Sequence, residues 1–146
     1  MRTATTICLL VLTTGAFAAE DSAGIRAVLQ EFNKALRQPE SQALHKFFTA
    51  AADYRDACRK ASGRAQIVSL LGAGRGVWSE RTAPALEEQD IRMIGQSAAL
   101  VDAAVVQYGS TIGKSMVPVI LLLEREGEEW KISSWRTSAC APSPGP

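Results

Sequence analysis

The feature that most constrains this chain is the run from Lys114 to Ser138. It holds Val119-Ile120-Leu121-Leu122-Leu123, a charged stretch around Gly127, and then Trp130-Lys131-Ile132-Ser133-Ser134-Trp135-Arg136. An apolar run, a Gly-containing polar turn and an apolar/polar alternation predict a β-hairpin with at least one buried face. Five consecutive apolar residues leave the first strand without a polar face. That predicts a central strand covered on both sides, by helices or by a partner subunit. Pro118 has no N–H for the ladder, so a bulge or a local edge is expected there.

Upstream, the periodicity is helical. Asp21-Ser22 can cap a helix running to about Arg37, with Ile25, Val28, Leu29, Phe32, Ala35 and Leu36 at three- and four-residue spacing. Gln38-Pro39-Glu40 breaks it and starts a second helix, whose buried side is Leu44, Phe47 and Phe48. Residues 52–58 read as a short strand or an extended loop. Ile67, Leu70 and Leu71 mark a third helix from Gly63 to Leu71, followed by Gly72-Ala73-Gly74-Arg75-Gly76. After Pro84 the pattern turns to β: Leu86 to Ile94, a turn at Gly95-Gln96-Ser97, Ala98 to Tyr108, and a turn at Gly109 to Gly113 into the hairpin. Helices followed by an antiparallel meander predict an α+β fold with the helices on one side of a bent sheet.

The 146 residues, 47% of them hydrophobic, have room for one core. The N-terminus is expected to stand apart as a leader. Arg2, the apolar Ile7 to Leu12 and the small-x-small Ala16-Phe17-Ala18 predict a signal peptide over residues 1–18, too short to span a membrane. The folded domain would then occupy 19–138 and a Pro/Ser tail 139–146, in an exported protein, periplasmic or secreted. Loss of Arg2 leaves basic and acidic residues balanced at 15 each. That balance gives no electrostatic case for nucleic acid or anionic membranes. Cleavage also removes Cys8, leaving Cys58 and Cys140 in an oxidising compartment. They form either a disulfide or one buried and one tail thiol.

Five stretches carry a resemblance: Gly63-Arg64-Ala65-Gln66-Ile67, Ala99-Leu100-Val101-Asp102-Ala103, Val117-Pro118-Val119-Ile120-Leu121, Glu126-Gly127-Glu128-Glu129-Trp130-Lys131-Ile132 and Ser134-Trp135-Arg136. Together they resemble SnoaL-like proteins of the nuclear transport factor 2-like (cystatin-like α+β) superfamily, nearest the SgcJ/EcaC-like branch. The resemblance implies three N-terminal helices on a strongly curved, four- to six-stranded antiparallel sheet, a cone with an internal pocket. Members include isomerases, dehydratases, epoxide hydrolases and polyketide cyclases beside non-catalytic proteins, so fold alone leaves function open. Dimers through the outer sheet face are common among them.

Asp102 is the only charge in its Ala/Val strand. In an apolar cavity its pKa would rise, suiting a general acid or base. The alternative is a cross-strand pair with Arg92. Tyr54 and Asp56 occupy the segment that contributes to the pocket mouth in SnoaL-like proteins, as a catalytic hydroxyl and base or as solvated loop polarity. Arg136 continues the alternation Trp130, Ile132, Ser134, and on that face could bind an anionic group of a ligand. Trp78 and Tyr108 complete the candidate ligand-binding set. His45 falls off its helix's apolar stripe and reads as solvated. One histidine and two cysteines assemble neither a zinc site nor a triad, and no cofactor is implied. The Gly72 to Gly76 segment follows a helix and places its third glycine one residue early for a dinucleotide loop. The expectation is a pocket for a small, largely apolar molecule, with proton transfer as its natural chemistry. The alternative is a non-catalytic, homodimeric interaction module.

Overall fold

A computed structural model describes residues 14–38, 41–73, 84–109 and 113–140. Helix α1 spans Thr14–Arg37, a 3-10 helix Ser41–Phe47, and helix α2 Arg64–Gly72. The strands are β1 (Phe48–Arg55), β2 (Lys60–Ser62), β3 (Ala85–Ile94), β4 (Ala98–Gly109), β5 (Gly113–Glu126) and β6 (Glu129–Thr137). They form one sheet in the order β2-β1-β6-β5-β4-β3.

The hairpin of residues 114–138 lies at the sheet's centre, β5 against β6. Only one of its faces is in the core, however: Val119, Leu121 and Leu123 are buried, whereas Ile120 is 48% exposed. The apolar run therefore does not mark a strand covered on both sides in this chain. Pro118 sits opposite Ala104 in an unbroken β4–β5 register and one residue beyond the last β5–β6 partners, Val119 and Thr137. It forms a local edge without a bulge.

Three further expectations need correction. The sheet is mixed, because β1 runs parallel to β6 while every other neighbouring pair is antiparallel. The second helix is a single 3-10 segment that stops at Phe47, where the chain passes directly into β1. A tight 3-10 turn brings Leu44, Phe47 and Phe48 to the core together. Asp21 is no cap either: α1 starts seven residues earlier, and Asp21 instead pairs with Arg125 of β5 at 2.9 Å.

Helix α1 packs on the inner face of the sheet and contributes Ile25, Leu29, Phe32, Ala35 and Leu36 to the core. Phe32 is the hub, edge-on to Phe47 and Phe48 at 5.5 and 5.8 Å and tilted against Trp135 at 6.0 Å. Burying one such ring stabilises the fold by roughly 3 kcal/mol or more. The helix is also anchored through Asn33, which donates to Leu86 O at 2.6 Å and accepts from Leu86 N at 2.7 Å. Gly63 takes φ +83° at the entry to α2 and donates its N–H to Ala52 O at 2.8 Å. An L side chain would be strained there.

Candidate functional site

The alternation of β1 sends Tyr54 inward, 1% exposed, with its ring 6.0 Å from that of Trp135. At the end of the strand its hydroxyl donates to Asp56 Oδ2 at 2.8 Å. Asp56 Oδ1 accepts the backbone N–H groups of Cys58 at 2.8 Å and Arg59 at 2.5 Å, so the carboxylate closes its own turn. Arg59 reaches back to Oδ2 with Nε at 3.1 Å and Nη2 at 3.0 Å. Burial, and then the bond to Asp56, push the Tyr54 phenol well above its ordinary range, which keeps it protonated and donating. Both Asp56 oxygens are engaged in holding this knot.

A disulfide fastens the same turn. Cys58 and Cys140 are bonded, their Cα atoms 5.2 Å apart, and Ala57 N donates to Ala139 O at 3.3 Å beside them. The segment beyond β6 is thereby tied to the end of β1.

Arg136 lies on the other face from Trp130 and Ile132. Leu122 is opposite Ser134 while Leu123 is opposite Ile132, so Ser133 is the extra residue of a β-bulge. The bulge reverses the alternation: Trp135 turns into the core and Arg136 turns outward, where it pairs with Asp53. Asp56 and Ala57 of the disulfide turn line a cleft of about 420 Å³ together with Arg55, Arg136, Pro118, Ile120, Thr137 and Ser138.

Asp102 is on the outer face as well, between the buried Val101 and Ala103, its side chain 37% exposed. Arg92 Nη2 donates to its Oδ2 at 2.9 Å, the cross-strand pair named above as the alternative. An exposed ion pair of this kind contributes at most about 1 kcal/mol. It places no carboxylate in the interior.

A family model provides the first comparison with known proteins: that of the SnoaL-like domain matches residues 25–142. The chain belongs to the SnoaL-like domain family. No curated protein matches it. Among solved structures, the chain is similar to a cystatin-like-fold domain of unknown function from Nostoc punctiforme. Identity is 17%, coverage 85% of this chain and 79% of that one, and the TM-score 0.68. A Novosphingobium aromaticivorans protein provisionally assigned as scytalone dehydratase is 15% identical over 85% and 88%, with TM-score 0.68. An NTF-2 like protein of unknown function from Shewanella oneidensis is 14% identical over 81% and 98%, with TM-score 0.65. At these identities the likeness establishes the fold: an α+β, cystatin-like domain with helices on a mixed six-stranded sheet.

In this SnoaL-like domain the face of the sheet that packs on α1 is less fully covered along β3, among the described residues. Ile91 and Met93 are ladder partners of Val101 and Ala99, which are fully buried, yet both are only partly covered. Arg26 of α1 bridges to Glu88 at 3.1 Å beside this stripe. His45 lies apart, half-buried at a shallow cleft with Gly63 and Gln66. Trp78 and the Tyr108 side chain lie outside the described residues. Among the described residues no group of three or more His, Cys, Asp or Glu could hold a metal, and no helix is long and apolar enough to cross a membrane.

The sequence alone marks neither Arg59 as the partner of Asp56 nor Asp53, in the same pocket-mouth segment, as the partner of Arg136. The i,i+3 spacing from Asp56 to Arg59 was the available signal, since a tight turn brings such a pair together. Nothing local marks Asp53 as the partner of a residue 83 positions away.

Proposed function

We propose that this SnoaL-like domain is an exported binding protein for a small, largely apolar molecule, held on the concave face between α1 and β3. Asp102, Asp56 and Tyr54 take no part in proton transfer. The observation that carries the reading is the stripe of Ile91 and Met93, two apolar side chains left partly uncovered on an inner face whose neighbouring strands are sealed. Pockets of this kind are mainly apolar, and a flexible thioether adapts to an irregular guest. The engaged Asp56 carboxylate and the outward Asp102 support binding over acid/base chemistry. The leader pattern of residues 1–18 and the disulfide support export to an oxidising compartment.

Titration with 2-naphthol, an uncharged apolar probe, tests the reading through its own fluorescence. Ile91→Ser with Met93→Ser should weaken binding about tenfold or more, because roughly 1 to 2 kcal/mol of apolar contact is lost. Asp102→Asn should leave it unchanged. An unaffected double variant, or equal weakening by Asp102→Asn, would show that the guest sits elsewhere.

A further inference from the structure

Following the ladder across the outer face, Lys60, Arg55, Arg136, Ile120, Asp102 and Asp90 are consecutive partners on all six strands. The row is cationic over three strands, apolar at the centre and acidic over the last two. Like charges directly opposite one another in a sheet are unfavourable unless something compensates them. The acidic end has its compensation, since Arg92 lies 2.9 Å from Asp102 and 3.7 Å from Asp90. Among the described residues the basic end is only partly compensated. Asp53 answers Arg136, and Asp56 beneath is engaged by Arg59. Neither Arg55 nor Lys60 has a carboxylate partner among the described residues.

The cleft of about 420 Å³ opens at this basic end and is also lined by Asp56, whose carboxylate is engaged by Tyr54 and Arg59, and by Ala57. Arg55 and Arg136 form one wall as ladder neighbours, Thr137 and Ser138 bring hydroxyls, and Pro118 with the exposed Ile120 makes an apolar floor. Paired guanidiniums with flanking hydroxyls are a recognition surface for a planar anion. An apolar floor bounded by Asp102 beyond Ile120 favours a single negative charge with a short hydrocarbon body over a highly charged polar ligand.

We propose that this outer cleft binds a small carboxylate, its head between Arg55 and Arg136 and its apolar body on Ile120 and Pro118. The site is separate from the concave face, and neither proposal depends on the other.

The test is an amide-resolved NMR titration of the full, oxidised chain at constant ionic strength. The probes are hexanoate, acetate, hexylamine and inorganic phosphate. Hexanoate should shift the amides of Arg55, Ile120, Arg136, Thr137 and Ser138 saturably, and bind about tenfold more tightly than acetate through its added methylenes. Hexylamine should leave them unmoved. Arg55→Gln with Arg136→Gln should weaken hexanoate at least tenfold, and because both side chains are exposed the thermal midpoint should hold. Phosphate binding as tightly as hexanoate, with acetate equal to both, would reduce the cleft to general anion attraction and overturn the proposal. Hexanoate shifts confined to Ile91 and Met93 would overturn it while favouring the concave-face reading. Self-association that the double variant abolishes, with hexanoate without effect, would assign the stripe to a second copy of the chain and also overturn it.

Discussion

Replacing Asp56 by alanine should remove the centre of the Tyr54–Asp56–Arg59 knot and cost the fold about 3 to 5 kcal/mol, the range for breaking a buried charged pair from one side. The components follow from the geometry. Tyr54 is 1% exposed, so its hydroxyl loses its acceptor with no water to replace it, a penalty of about 1 to 3 kcal/mol. The Cys58 and Arg59 N–H groups are partly buried and lose the carboxylate oxygen that closes their turn, at about 1 kcal/mol each. Arg59 is 33% exposed on its side chain and can rehydrate, so its share is discounted to about 1 kcal/mol or less. Urea unfolding of the oxidised protein, followed by far-ultraviolet circular dichroism, measures the sum. Asp56→Asn keeps one acceptor oxygen and should lose about half as much. A loss below about 1 kcal/mol for Asp56→Ala would refute the assignment of Asp56 as a structural carboxylate and reopen a chemical role.

Four further outcomes are expected. Because the folded Tyr54 phenol is raised above its unfolded value, its contribution is complete below about pH 10 and is lost as pH rises above it. Tyr54→Phe should therefore flatten the alkaline side of the stability–pH curve, and an unchanged slope would contradict the buried bond. Reducing the Cys58–Cys140 bond, with its sequence separation of 82, should lower stability by about 4 to 5 kcal/mol in the chain-entropy picture, read by urea midpoints with and without reductant. Gly63→Ala should destabilise by about 1 kcal/mol or more, since φ is +83° and the N–H is bonded; a neutral result in thermal unfolding would show the turn relaxes. Asp102→Asn should shift stability by less than about 1 kcal/mol, as an exposed pair does, and a larger loss in the same assay would mean the pair is not a surface contact.

How much of this was legible in the chain depends on the range of the interaction responsible. The α1 stripe, the third helix and the β4–β5–β6 meander follow from local periodicity, and the structure contains them. The Arg92–Asp102 contact was foreseeable for the same reason, because the tight turn at residues 95–97 sets the register of its two strands. Arg136 was misdirected by one residue: a bulge at Ser133 leaves no mark in a pattern of serines, yet it turns every later side chain to the other face. The parallel pairing of β1 with β6 joins residues some 80 positions apart. Neither the alanine-rich β1 nor the serine-bearing β6 announces it, and the 3-10 segment before β1 carries the same apolar spacing as an α-helical turn. The knot at Asp56 was half visible: the Tyr-x-Asp pair stood out, but its partner Arg59 and the burial that makes it structural come only with the fold.

The measurement that bears most directly on the concave-face reading is a methyl-resolved NMR titration of the oxidised chain with 2-naphthol. The prediction is saturable shifts, with ligand-to-methyl contacts, at Ile91, Met93 and Ala99, and none at the outward Met116, Ile120 and Leu122. Contacts confined to the outward set, or no saturable shift at either, would contradict it.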